Sequence, residues 1–128
     1  MIKYIRLLLT VSAGVFTYLF GELTPLFTAL ISVVCIDYVT GIISAAVNHK
    51  LNSGKGFAGI LKKVFIFLIV AVASILDAII PATHAAIHAS VCMFYIANES
   101  LSIIENAGEI GLPLPQVLKN TVEKLKHK

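Results

Sequence analysis

Seven residues of this chain recur every three or four positions: His84, His88, Cys92, Tyr95, Glu99, Ser102 and Asn106. That spacing places them on one face of a helix. Their types would suit metal binding, proton transfer or contact with water. A zinc site at His84, His88 and Cys92 is excluded by geometry, because three residues spread over two helical turns cannot converge on one ion. Gly54-Lys55-Gly56 lacks the spacing and the preceding strand of a phosphate loop. No nucleophile–base–acid arrangement is present. The chain reads as no enzyme, with no cofactor and no resident metal.

A second face follows the same spacing earlier in the chain, at Asp37, Gly41, Ser44 and Asn48. Gly41 and Ala45 form a small-xxx-small pair of the kind that lets helix backbones approach closely, within one chain or between copies.

The elements that carry these faces are apolar. Hydrophobic residues make up 58% of the 128 residues and charged residues 13%, about half the charge supply of a soluble domain. Such a chain cannot cover a surface with charge, so lipid must be its solvent. A helix needs about 20 apolar residues to cross a bilayer. Four windows meet or approach that length: Tyr4–Phe20, Pro25–Val47, Ala58–Ile80 and His84–Ile104. The reading is an all-α integral membrane bundle, one domain over residues 1–128, with a tail from residue 105. The first window is the shortest, and a three-span chain is the architectural alternative. It is not read as a signal peptide, because no small-x-small cleavage site follows it. Gly111-Leu112-Pro113-Leu114-Pro115 breaks the chain, and Gln116–His127 then reads as a short amphipathic helix with Val117, Leu118, Val122 and Leu125 on one side. Such a helix suits the inner leaflet or stays a solvated tail.

The net charge of +3 does not point to nucleic acid, since the basic residues sit at the ends of spans rather than on one stripe. Lys3 and Arg6, then Lys50, Lys55, Lys62 and Lys63, then Lys119, Lys124, Lys126 and Lys128 all fall on one side of a four-span topology. Positive residues stay cytoplasmic, so both termini are expected inside. Cys35 and Cys92 lie in apolar runs and read as reduced, buried thiols.

Ionisable residues inside a bilayer must face protein or water. Counting from the ends of the windows, Asp37 is level with Tyr95, which predicts a hydroxyl–carboxyl bond. No lysine shares its depth, so Asp37 reads as a carboxyl kept neutral by desolvation. Glu99 is level with Lys62 and Lys63, a candidate ion pair, and Asp77 with His84 and His88. The seam on the last span (His84, His88, Cys92, Tyr95, Glu99 and Ser102) either binds helices together or lines a pore.

Three stretches resemble the phage holin family of the toxin-secretion/lysis type. They are Ile36-Asp37-Tyr38-Val39-Thr40-Gly41-Ile42-Ile43, Leu51–Ile60 with Lys62-Lys63, and Phe94–Asn106 continuing to Gly111-Leu112-Pro113-Leu114-Pro115. The resemblance covers roughly residues 30–120. It implies a protein of the bacterial cytoplasmic membrane that associates with copies of itself into lesions. These release a companion endolysin, collapse the membrane potential, or serve toxin release. Some holins use a second start methionine to make an inhibitor. Here the only other methionine is Met93, so that mode of timing is not expected. A small four-helix transporter and a subunit of a membrane complex are the alternatives. The transporter type calls for an acid in the first span, and none is there.

Overall fold

A computed structural model describes residues 1–21 and 23–126. Among these residues the chain is helical without strands: α1 (Ile2–Phe20), α2 (Pro25–Val47), α3 (Ser53–Ile79), a single 3₁₀ turn (Pro81–Thr83), α4 (Ala86–Glu109) and α5 (Gln116–Lys126). Helices α1 to α4 are each long and apolar enough to cross a membrane. Glu22, in the first turn, and His127 and Lys128, in the tail, lie outside the described residues.

Local chemistry sets the boundaries. Pro25 opens α2, and the Thr24 hydroxyl accepts the N–H of Phe27, satisfying one of the free donors of the first turn. Asn52 does the same for α3, its side-chain oxygen accepting from Gly54 and Lys55. Helix α3 therefore begins five residues before the apolar window that starts at Ala58. Helix α4 likewise runs five residues past Ile104 to Glu109. Polar residues extend both helices where the lipid ends.

The turn into α4 corrects one sequence-based expectation. His84 is not on the helix but in the left-handed region (φ 49°), followed by Ala85 (φ 65°). Two consecutive residues of this kind reverse the chain within the hairpin, so His84 leaves the face that His88 begins.

Helix α2 packs chiefly on α4, α3 lies against α4, and α1 leans on α3. The core is Phe27, Leu30, Val34, Val70 and Cys92. Phe20 stacks on Phe27 at 5.2 Å between ring centres, and Phe67 meets Phe27 edge-on at 6.1 Å. These rings tie α1 to the end of the bundle opposite Lys50 and Lys55. Helix α1 buries no residue; its leucines and valines face outward, an arrangement stable only in lipid. Helix α5 folds back on α4, turning Val122 inward at 5% exposure and leaving Val117 outside at 75%.

Candidate functional site

Between α2, α3 and α4 three charged groups meet. The Lys63 ammonium donates to Asp37 Oδ2 and to Glu99 Oε2, each at 2.7 Å. Both carboxylates are 8% exposed. Asn106 of α4 donates to Asp37 Oδ1 and to Thr40 Oγ1, both at 3.0 Å. Farther down, the Ser44 hydroxyl donates to Glu109 Oε2 at 2.6 Å, and Asn48 reaches the Ser44 and Glu109 carbonyls at 3.0 and 3.4 Å. The faces of α2 and α4 thus join into one polar ladder, with Lys63 bolting α3 to it.

The ladder sets the register. Helices α2 and α4 run parallel, with Ser44 beside Glu109 and Thr40 beside Asn106. On that count Ser102 is level with Asp37. Asp37 is ten residues from Val47 and twelve from Pro25, or about 15 Å and 18 Å along the helix. The charged cluster is therefore level with the middle of α2.

This register corrects several expectations. Tyr95 is seven residues above Ser102, or about 10 Å, and packs against the apolar core instead of bonding Asp37. The level match counted both residues from the outer ends of their spans, and those ends are not level: Asp37 lies twelve residues beyond Pro25, whereas Ser102 beside it lies sixteen beyond Ala86. Asp37 is not alone at its depth either, because the long Lys63 side chain reaches it. Of the two candidate lysines only Lys63 meets Glu99; Lys62 is exposed, since adjacent helical residues point about 100° apart. Asp77 takes the backbone N–H groups of Ile87 and His88, at 3.2 and 2.7 Å, and the Thr83 hydroxyl, rather than the imidazoles. Its carboxylate caps α4 from the neighbouring helix, because Ala85 has no side chain to do so.

Along α4, His88, Cys92, Tyr95, Glu99, Ser102 and Asn106 all turn inward. His88 Nε2 is 3.7 Å from Cys92 Sγ, and Cys92 is fully buried. Cys35, by contrast, is exposed on α2. Gly41 faces Asn106: a Cβ there would lie 3.7 Å from its amide nitrogen, an ordinary contact that leaves room for little more. Sequence reasoning missed Thr40 and Glu109 as members of the ladder, although Glu109 continues the spacing of Glu99, Ser102 and Asn106. It also missed Asn98, which is exposed on the outer side of α4. Asn98 is level with Val33, about 21 Å from one end of α2 and about 12 Å from the other.

Chemically, the cluster is a lock. Two carboxylates and one ammonium, bonded to one another and to Asn106, hold three helices together while turning an apolar surface outward. If the helices separated, the same groups would become a hydrophilic wall.

The family model of the bacteriophage holin family matches residues 14–127. The chain is similar to an uncharacterised protein of Halalkalibacterium halodurans, 43% identical over 91% of this chain and 89% of that one. It is similar to an uncharacterised 14.9 kDa protein in the nagH 3' region of Clostridium perfringens, 34% identical over 99% and 96% of the two chains. It is also similar to a protein of Bacillus phage phi105 described as a probable holin, 41% identical over 79% of this chain and 73% of the phage protein. No solved structure matches.

Proposed function

This chain belongs to the bacteriophage holin family, and from that premise we propose that it assembles in the bacterial cytoplasmic membrane into lesions. They release a wall-degrading endolysin at a timed moment, or serve toxin release. Both termini and the loop carrying Lys50 and Lys55 face the cytoplasm, as the one-sided placement of lysine and arginine requires.

The observation that carries the reading is the buried polar ladder inside an apolar shell. Against lipid such a face is unfavourable, so in the single chain it is covered by α2 and α3. At high density in the membrane, copies exchange these contacts for contacts with one another, and the ladder groups of several copies surround a common water-filled lumen. Asn98 supports the first encounter between copies. An amide facing lipid at that depth finds its hydrogen bonds on another helix, and such bonds contribute about 0.6–2 kcal/mol.

Inducible expression in a bacterium, with and without an endolysin, tests the proposal. Abrupt lysis after a delay, dependent on the endolysin, is expected. Growth that continues unchanged with both proteins present would reject it.

A further inference from the structure

A cleft of about 300 Å³ opens between α2 and α3 at the end that carries the α2–α3 loop, with Lys50, Lys55 and Asn52 at its mouth. Its floor is the polar cluster of Asp37, Lys63, Ser102 and Asn106, and Tyr38, Ile42 and Leu51 line its side. The same three residues continue into an adjoining groove with Phe57 and Ile60 on the outer, lipid-facing surface. The groove exists because α3 presents glycines to Tyr38. A Cβ on Gly56 would lie 3.6 Å from the Tyr38 hydroxyl, and one on Gly59 would lie 3.9 Å from its ring.

The charges at the mouth are uneven. Lys50 and Lys55 also line the polar crevice beside Ser44, Asn48 and Glu109. Glu109 is engaged by the Ser44 hydroxyl. Among the described residues the ion pairs involve Lys63 alone, which leaves Lys50 and Lys55 without a carboxylate partner. Both sit in the loop and first turn that follow the end of α2, at the level where lipid phosphates meet the hydrocarbon.

We propose that this cleft is a binding site for one anionic phospholipid of the leaflet on that side. Lys50 and Lys55 hold the phosphodiester, and the Tyr38–Ile42–Leu51 wall, running out to Phe57 and Ile60, takes the start of an acyl chain. Charge complementarity at the mouth and the apolar groove that runs out beside it single out a lipid over a soluble anion, which would use the mouth alone. The proposal stands apart from lesion formation: it concerns what the folded chain binds before any assembly.

Native mass spectrometry of the full chain, released from neutral detergent with added dioleoyl lipids, tests it. One phosphatidylglycerol per chain is expected to survive release, with at least a tenfold preference over phosphatidylcholine. Lys50→Gln/Lys55→Gln should abolish that preference. Lys119→Gln/Lys124→Gln, which removes the same charge from the tail, should leave it intact. Equal loss in both double variants, or retention in the first, would overturn the site. Displacement of the lipid by millimolar inorganic phosphate would also overturn it, assigning the mouth to a free anion.

Discussion

Replacing Lys63 with methionine removes the one cation that satisfies two buried carboxylates. Each contact is 2.7 Å long, and both carboxylates are only 8% exposed. Breaking a buried ion pair by removing one partner costs about 3–5 kcal/mol, largely because the remaining charge is stranded. Here two carboxylates are stranded face to face, so Lys63→Met should fall at the upper end of that range. Against a total stability of about 5–15 kcal/mol, this is a third or more. The triple variant Asp37→Asn/Lys63→Met/Glu99→Gln removes every charge together and should recover most of the loss, because a neutral replacement of a buried cluster is close to neutral in stability. Unfolding in mixed micelles, followed by far-ultraviolet circular dichroism, measures both. A Lys63→Met protein within about 1 kcal/mol of the parent, or a triple variant no more stable than the single one, would refute the lock.

Other substitutions probe the rest of the ladder and its surroundings. Asn106→Ala strips Asp37 Oδ1 of its 3.0 Å donor and should cost about 1–3 kcal/mol in the same assay. Asp77→Ala removes the cap on Ile87 and His88. It should cost about 0.5–2 kcal/mol, with amide hydrogen exchange accelerating at the start of α4 and unchanged at Glu99. Asn98→Ala should leave the single chain as stable as the parent but weaken self-association about 3- to 30-fold, the equivalent of 0.6–2 kcal/mol. Energy transfer between labelled copies in vesicles reads that change, and a later onset of lysis should accompany it.

Much of this architecture is legible in the residues. Helix α2 runs from Pro25 to Val47, as Thr24-Pro25 and the first polar residues after Val47 indicate. The inward face of α4 follows from the three-and-four spacing of His88 through Asn106. What escapes is the part that packing decides. Ser53–Phe57 has loop composition, yet the Asn52 cap and the water beyond the lipid let it extend α3. Composition cannot tell whether Lys62 or Lys63 faces inward; the rotation of α3, set where Val70, Ala71 and Ala73 bury, selects Lys63. The outer ends of α2 and α4 are not level, which is why Asp37 meets Asn106 rather than Tyr95. The left-handed pair His84–Ala85 carries no glycine to announce it.

Cys92 offers the most direct test of the proposed rearrangement, because it lies on the polar face and is fully buried in the folded chain. With the exposed Cys35 replaced by alanine, a membrane-impermeant maleimide is added outside intact cells before and after the onset of lysis. The account predicts no labelling of Cys92 beforehand and rapid labelling afterwards, as the seam comes to line water. A thiol that stays unlabelled once lysis is under way would contradict it.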